Sequence, residues 1–319
     1  MLLSDDRFMT AYAAAFRDPR PDVAMIGAGA VGRILATRLA ERGYPIPAVI
    51  SRTVQSAESL GREVGASIVS NSLFDLPDSS RLVFICVPDS EIAPVAERLA
   101  RVPHSWEKTV VVHTSGAQPS SILRPLAERG ARIMSFHPLQ TITRSSPAGV
   151  LDGVYAGVEG SPQSVATGIE LAVCLGMRYL VLTPDSKARY HLGASVASNF
   201  LVTLMSVAQQ MLTSLDIDRA TAQEIIEPLV RGTLANLGAS TPEDALTGPI
   251  VRGDLDTLRQ HGLALRRYLP HLVPVYAALA METVPLAVRS SRLDPDRADE
   301  ILEMLAQMVT LPLPAPPGA

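Results

Sequence analysis

The feature that most constrains the fold is a glycine pattern that joins an apolar strand to a helix. The run 23–27 is apolar and β-like, the segment GAGAVG follows it, and a helical pattern extends over 31–41. In the spacing G-x-G-x-x-G the glycines allow a tight turn, close approach to a pyrophosphate and close helix–strand packing, while amides at the helix start hold the phosphates. This context predicts a dinucleotide site, with a glycine-rich turn that binds nothing as the alternative. The predicted contacts are Gly27, Gly29, Ala30, Val31 and Gly32.

Short apolar runs alternate with helical patterns over the first part of the chain. Such alternation predicts a doubly wound parallel sheet, and continuous apolar runs indicate that both faces are covered. After Pro184 only helical patterns follow, and we expect Asp218, Asp254 and Asp294 to cap helices. The predicted strands are 23–27, 48–51, 82–87, 109–113, 131–136, 155–159 and 178–183, and the later helices are 186–214, 219–237, 255–265, 270–289 and 296–308. The predicted fold class is α/β: a doubly wound parallel Rossmann sheet followed by an all-α C-terminal domain.

These patterns divide the chain into four predicted segments. They are a flexible extension (1–20), a dinucleotide-binding Rossmann domain (21–183), an all-helical substrate and dimerisation domain (184–310) and a disordered tail (311–319).

The composition argues against several classes of protein. The net charge is −4 with acids and bases mixed along the chain, whereas a nucleic-acid surface needs clustered Lys and Arg. Cys86 and Cys174 lie in apolar runs, which predicts buried free thiols in a reducing compartment, and no metal-ligand spacing is visible. The first residues carry acids where a signal peptide needs bases, and no long uncharged apolar run occurs. We therefore expect a cytoplasmic protein without a metal or a membrane span.

The end of the second predicted strand indicates which nucleotide is bound. A site for NAD usually places Asp or Glu here for the ribose 2′-hydroxyl, but this chain has Ser51, Arg52 and Thr53. A carboxylate would repel a 2′-phosphate, whereas an arginine and two hydroxyls can bind one. The segment predicts NADP(H), with an Arg52 that only covers the adenine as the alternative.

Polar residues also follow the later strands, where ligands of open α/β sheets bind. We expect Val87, Pro88 and Asp89 near the ribose and nicotinamide, and His113, Thr114, Ser115 and Gly116 beside the nicotinamide. The next strand ends with His137, Pro138 and Gln140. For any one of these residues, a turn-forming role is the alternative.

The first long helix of the second predicted domain carries polar residues at four-residue intervals. Lys187, His191, Ser195 and Asn199 share one broad face, because this spacing drifts only about 40° per step. Reduction of a carbonyl or imine needs a proton donor and groups that orient the substrate. We expect Lys187 to be the acid or an electrostatic stabiliser, His191 to orient the substrate or share the proton, and Ser195 and Asn199 to bind it. The alternative is that Lys187 is a solvated first-turn residue and that His191 and Asn199 are satisfied structural groups.

A loop in the helical region, ALTGPIVRGD, supplies further candidates. Thr247, Arg252 and Asp254 form a turn before a helix, and Arg252 could clamp an anionic substrate. Pairing of Arg252 with a neighbouring acid is the alternative.

Together GAGAVG, SRT, HTSGA, FHPLQT, the helix from Lys187 to Asn199 and LTGPIVRGD resemble a family of Rossmann proteins with a helical domain of unassigned function. The resemblance covers about 22–289 and extends to the 6-phosphogluconate dehydrogenase-like superfamily. That superfamily includes β-hydroxyacid dehydrogenases, pyrroline-5-carboxylate reductase, prephenate dehydrogenase and ketopantoate reductase, and an alternative type of the last resembles this branch.

The resemblance implies that Lys187 is the general acid, that Asn199 binds substrate, and that the chain forms a homodimer through its C-terminal helices. The relatives carry Asn four residues after the lysine, where this chain has His191. His137-Pro138 is similar to a pair in prephenate dehydrogenases, and the Ser-Gly-Ser-Gly-Pro stretch of pyrroline-5-carboxylate reductase is absent.

The expected function is NADPH-dependent reduction of a small carboxylate substrate, a 2-oxo acid, with ketopantoate as the leading choice. The alternatives are reduction of a cyclic imine, oxidation of a prephenate-like acid, and a non-catalytic NADP(H)-binding regulatory dimer.

Overall fold

The computed structural model describes residues 20–310. The predicted extension at 1–20, apart from Arg20, and the predicted tail at 311–319 lie outside these residues.

The described chain contains an eight-stranded sheet in the order β3-β2-β1-β4-β5-β6-β7-β8. β1 to β6 are mutually parallel, β7 pairs antiparallel with β6, and β8 runs parallel to β7. The strands are β1 Val23–Ile26, β2 Ala48–Ile50, β3 Ile68–Ser70, β4 Leu82–Ile85, β5 Val110–His113, β6 Arg132–Pro138, β7 Tyr155–Gly160 and β8 Arg178–Val181. The α/β prediction is confirmed, but the prediction of an entirely parallel sheet is wrong at β7 and β8. The connection between β6 and β7 contains only a short 3₁₀ turn, Ala148–Leu151, whereas parallel neighbours are usually joined by a crossover helix.

Helices cover both faces of this sheet. Those of the sheet region are α1 Ala30–Glu41, α2 Val54–Val64, α3 Asp89–Leu99, α4 Arg124–Ala127, α5 Pro162–Cys174 and α6 Lys187–Ala197. Along β1, Val23 and Met25 belong to the core on one face, and Ala24 and Ile26 to the core on the other. Successive strand residues point to opposite faces, so a strand covered on both sides must be apolar throughout. This explains the continuous apolar runs in the sequence.

The sequence prediction missed strand β3. Its three residues are half-buried or exposed, because β3 is an edge strand. An edge strand buries little, so it lacks the apolar run that marked the inner strands.

The remaining described residues are helical, and they pack around a core of their own. The helices are α7 Asn199–Thr213, α8 Arg219–Ala239, α9 Pro242–Ala245, α10 Leu255–Tyr268, α11 Val273–Arg289 and α12 Pro295–Thr310. Leu258, Ile301 and Leu305 are among the fully buried residues of this core. The predicted caps are confirmed: Asp218 and Asp254 accept hydrogen bonds from first-turn amides of α8 and α10, and Asp294 accepts one at the start of α12.

The chain divides into two compact units, the first ending at Ser198 and the second beginning at Asn199. The strands end near Pro184 as predicted, but α6 still belongs with the sheet. α6 ends at Ala197 and α7 begins at Asn199, and Ser198 between them has φ −113° and ψ −66°. The prediction of one uninterrupted helix over 186–214 is therefore wrong. The break separates Asn199 from the helix that carries Lys187, His191 and Ser195.

Two helical stretches of the described chain, Pro184–Thr213 and Pro270–Arg289, are long and apolar enough to span a membrane by length and composition alone. Core helices of soluble proteins pass the same test, so this is weak support for a membrane span. Cys86 and Cys174 are free and buried, as the sequence predicts.

Candidate active site

The glycine turn between β1 and α1 has the geometry that a pyrophosphate cradle requires. Gly27 has φ +101°, and a Cβ placed on it would lie 2.2 Å from the carbonyl oxygen of Cys86. A Cβ on Gly32 would lie 2.1 Å from the carbonyl oxygen of Gly27. A Cβ on Gly29, in contrast, would meet nothing within 4 Å. Two glycines thus permit the turn itself, and the third leaves open space in front of the helix.

The first turn of α1 suits a bound anion. Gly29 provides no side-chain cap, and no acidic residue lies in the first turn. Helix N-termini with uncapped amides attract anions through those N–H groups and the helix dipole. Ala30 and Val31 open the helix here, as predicted, so the structure brings the five predicted turn residues together.

Ser51, Arg52 and Thr53 lie between β2 and α2, beside the glycine turn. The amide of Gly27 donates to the carbonyl of Ile50 at 2.8 Å, which holds the two strand ends together. Arg52 and Thr53 are exposed, and within residues 20–310 the guanidinium of Arg52 has no hydrogen-bond or ion-pair partner. Thr53 is the N-cap of α2 and donates to Ser56 at 2.8 Å. These groups could hold a 2′-phosphate.

A chain of contacts leads from the glycine turn across the ends of β4 and β5. The turn packs on the backbone of Cys86 and on the side chain of Val87. Two residues further on, Asp89 accepts a hydrogen bond from the hydroxyl of Ser115 at 2.7 Å. Ser115 is buried. The predicted groups at the two strand ends are therefore in direct contact.

The hydroxyl of Ser115 also organises the turn after β5. It accepts hydrogen bonds from the amides of Ala117 and Gln118, and the amide of Ser115 donates to Nδ1 of His113 at 3.2 Å. Burial, and then the charge of Lys187, lower the pKa of His113 to about 3. His113 is thus a neutral structural acceptor beneath the site.

Lys187, the first residue of α6, is fully buried. Its ammonium group donates to Ser135 Oγ at 2.6 Å and to the carbonyl oxygen of Ser115 at 3.2 Å. Ser135 Oγ in turn donates to the same carbonyl at 3.2 Å. Burial lowers the pKa of Lys187 to about 8, against the opposing charges of Glu159 and Asp89. The alternative of a solvated first-turn lysine is excluded.

Next to Gly116 lie two imidazoles, those of His137 and His191. Their ring centroids are 5.9 Å apart in an edge-to-face arrangement, and a Cβ on Gly116 would lie 2.5 Å from Nδ1 of His191. His137 Nδ1 shares a hydrogen bond of 3.0 Å with the hydroxyl of Tyr190. Burial, and then the charge of Lys187, lower the pKa of His137 to about 4. His137 is therefore neutral at neutral pH.

His191 differs from His137 in its hydrogen bonding. Its Nδ1 is buried and has no hydrogen-bond partner among the described residues. Buried polar atoms are nearly always paired, so this ring nitrogen is a candidate for contact with a ligand; Nε2 of His113 is likewise buried and has no partner among the described residues. Of the other predicted residues, Ser195 lies two turns further along α6 and is half-buried, and Thr114 follows β5 and is half-buried.

Sequence reasoning missed Ser135, Tyr190 and Glu159. Ser135 and Glu159 are fully or almost fully buried within strands, and Glu159 accepts hydrogen bonds from the amide and hydroxyl of Ser120. A single acid or hydroxyl within an apolar strand was the sequence feature that could have identified Ser135 and Glu159. Tyr190 lies one turn after Lys187, but its partner His137 is distant in sequence.

Four predicted residues belong to the second unit. Asn199 begins α7 and is exposed, and Thr247 and Arg252 are exposed in the loop before α10. Asp254 is the cap of α10, since its carboxylate binds the amide and hydroxyl of Thr257. This capping role accounts for Asp254 without a substrate. Among the described residues no cluster of three or more His, Cys, Asp or Glu could hold a metal.

Two family models match the chain. Residues 9–138 match a Rossmann-like domain, and residues 154–283 match a domain of unknown function, DUF2520. The first part of the chain is thus similar to Rossmann-like domains and the later part to DUF2520 domains. None of the curated protein sequences matches the chain.

Solved structures share this fold at low sequence identity. A proposed NADP oxidoreductase from Bacteroides fragilis is 22% identical and superimposes with a TM-score of 0.69. The match covers 83% of this chain and 98% of that protein's chain. A protein from Thermotoga maritima is 24% identical with a TM-score of 0.58, covering 90% and 97%. A pyrroline-5-carboxylate reductase from Coxiella burnetii is 14% identical with a TM-score of 0.51, covering 90% and 97%. At these identities the likeness shows the fold alone.

Proposed function

We propose that this protein is an NADPH-dependent reductase of a small 2-oxo acid, with ketopantoate as the first substrate to test. One observation carries the proposal: a glycine cradle is linked by direct contacts to a buried imidazole nitrogen that has no partner. The contacts run from Gly27 through Val87, Asp89 and Ser115 to the neighbourhood of His191. β5 and β6 lie two and three strands from β1, or about 10 to 14 Å. Ligands of open α/β sheets bind across this edge.

The residues present fit a bound NADP(H). Gly27, Gly29 and Gly32 form the cradle, the amides at the start of α1 suit the pyrophosphate, and Arg52 is an available cation for the 2′-phosphate. When bound, the nicotinamide supplies a hydride. The B. fragilis relative is named for NADP, which agrees with this choice of nucleotide.

His191 is our candidate for the proton donor. Reduction of a ketone creates negative charge on oxygen, which needs a proton from a nearby acid. Nδ1 of His191 lies beside Gly116 and has no hydrogen-bond partner among the described residues, whereas the Lys187 ammonium binds Ser115 and Ser135. We therefore assign Lys187 a positioning role: it holds the turn after β5 and adds positive potential beneath the developing oxyanion. His137 and Tyr190, which share a hydrogen bond, form another side of the proposed site.

A substrate panel tests the activity. Purified protein with NADPH is mixed with ketopantoate, other 2-oxo acids and a cyclic imine, and the loss of NADPH absorbance is followed. We include the imine because the C. burnetii reductase shares the fold. We expect turnover with a 2-oxo acid, and a fall of roughly 10² to 10⁴ in kcat for His191→Gln. Tight NADPH binding without turnover on any substrate would favour a non-catalytic role and refute the proposal.

Cofactor choice is tested by Arg52→Gln, with Arg62→Gln as the matched control. Both arginines are exposed, and Arg62 lies in the last turn of α2, away from the glycine turn. A lost charge-assisted hydrogen bond costs roughly 1.5–3 kcal/mol, so Arg52→Gln should weaken NADPH binding by about tenfold or more and leave NADH unchanged. Equal losses for both nucleotides, or for both variants, would contradict the assignment.

We also propose that two copies associate through α7 and α8. Phe200, Val202 and Leu229 are 55%, 70% and 72% exposed, which leaves large apolar side chains in water. Charged residues on the same elements, such as Glu227 and its ion-pair partner Arg231, would be costly in a bilayer. A second copy of the chain therefore suits this surface better than lipid.

A further inference from the structure

A cavity lies at the amino-terminal ends of β4, β5 and β6, at the opposite ends of the strands from the glycine turn. Its volume is about 300 Å³, within the range of small-molecule sites. Leu82, Val110 and Arg132 line it, and each is the first residue of its strand, β4, β5 or β6. The nucleotide residues follow the carboxyl ends of the strands, so the length of a strand, about 13 Å, separates the two places. This cavity therefore cannot belong to the proposed active site.

The charge of this cavity is unusual for the protein. Arg20, Arg81, Lys108 and Arg132 line it with one carboxylate, that of Glu170, although the chain as a whole carries a net charge of −4. Like charges gathered at a concave surface repel one another, and a bound anion offsets that cost.

Two of the cations in the cavity, Lys108 and Arg132, are available for a ligand. Lys108 and Arg132 are exposed, and among residues 20–310 neither side chain has a hydrogen-bond or ion-pair partner. Arg81 donates only to the carbonyl oxygens of Asp78 and Ser80, and the Asp78 carboxylate binds Ser105. The charges of Lys108 and Arg132 at least are uncompensated.

From this arrangement we propose that the cavity is a binding site for a small, multiply charged oxyanion. Guanidinium groups bind phosphate and carboxylate oxygens in pairs, and the apolar floor formed by Leu82, Val110 and Leu171 suits an organic body attached to the charged group. Since the site is remote from the glycine turn, its ligand is an effector rather than a substrate. This proposal is independent of the reductase function.

The first experiment uses pyrophosphate and citrate as separate calorimetric titrants, which distinguishes phosphate from carboxylate recognition. Full-length protein with Gly29→Asp is the starting point, because the added carboxylate blocks anions at the glycine turn and the position has room for it. Lys108→Gln and Arg132→Gln are compared with Arg98→Gln, an exposed arginine on α3 outside the cavity. We expect saturable binding of one titrant, weakened about tenfold or more by either cavity variant and unchanged in the control.

The second experiment exploits the scarcity of lysine. The chain has two lysines, the exposed Lys108 and the fully buried Lys187. Pyridoxal 5′-phosphate condenses with an exposed lysine amine, with loss of water, and added borohydride reduces the imine to a stable adduct. We expect mass spectrometry to place the adduct on Lys108 and the bound titrant to protect it. Absence of saturable binding by both titrants, equal binding by all variants, or unprotected labelling would overturn the proposal.

Discussion

Replacement of Lys187 by Met tests the electrostatics of the candidate active site most directly. The pKa of Lys187 is lowered from 10.5 to about 8, mainly by burial, which corresponds to about 3 kcal/mol of unfavourable free energy for the charged form. Methionine removes this cost with a side chain of similar length. The variant loses the charged donor to Ser135 Oγ, worth about 1.5–3 kcal/mol, while the Ser115 carbonyl keeps the hydroxyl of Ser135 as a donor. At neutral pH the variant should be as stable as the wild type, or more stable by up to about 1.5 kcal/mol.

The stability difference between the wild type and Lys187→Met should depend on pH, and its direction follows from the lowered pKa. A lysine with a lowered pKa in the folded state is charged in both states at pH 7, so the full cost is present there. Between about pH 8 and 10.5 the unfolded chain binds more protons than the folded one, and wild-type stability rises with pH. Integration from about pH 7 to about 9.5 gives a gain of about 2 kcal/mol for the wild type relative to Lys187→Met. Tyrosine titration affects both proteins equally and cancels in the difference.

Urea unfolding of the two proteins across this pH range measures the effect. Ser135→Ala serves as a control, because it removes a hydrogen bond and keeps the buried ammonium. Because this variant keeps the lysine and loses one acceptor of its ammonium, its stability should rise between about pH 7 and 9.5 at least as much as that of the wild type. Parallel pH curves for the wild type and Lys187→Met would refute the reasoning, since they would show that the lysine is not a desolvated cation.

Three further predictions concern the turn, the buried imidazole and the apolar surface. Gly32→Ala should abolish NADPH binding and lower stability by about 1–3 kcal/mol, because its Cβ would strike the Gly27 carbonyl; Gly29→Ala, which meets nothing, should unfold like the wild type in the same urea assay. As pH falls from about 6.5 to 5, His113 is protonated in the unfolded chain but stays neutral in the folded protein. The wild type should therefore lose about 2 kcal/mol of stability relative to His113→Asn. The same dependence on acidic pH for both proteins in urea unfolding would contradict the low pKa of His113. Phe200→Glu should convert a dimer to a monomer in sedimentation experiments, and an unchanged sedimentation coefficient would exclude this surface as the interface.

The proposed mechanism gives different roles to two basic residues on one helix. Lys187 lies at the start of α6, and its ammonium donates hydrogen bonds to Ser115 and Ser135. His191, one turn later, keeps a free nitrogen beside Gly116. Four-residue spacing places both residues on one face, but only the packing of that face decides that the Lys187 ammonium has hydrogen-bond partners and that Nδ1 of His191 has none among the described residues.

The sequence alone determined the α/β class, the inner strands and the glycine turn. These follow from local rules: apolar runs mark strands covered on both faces, and a turn with φ +101° requires a glycine. It also predicted the caps Asp218 and Asp254, because capping involves residues two or three positions apart. The sequence did not predict strand β3, because this exposed edge strand lacks a continuous apolar run.

Only the tertiary structure decided the direction of β7 and β8, the break at Ser198 and the partners of Lys187. Each depends on groups far apart in the chain: the ammonium of Lys187 meets a carbonyl 72 positions away. Burial set by such contacts lowers the pKa values of Lys187, His113 and His137, and no residue pattern reports it. Sequence periodicity shows which face a side chain occupies, whereas desolvation and pairing depend on what that face is packed against.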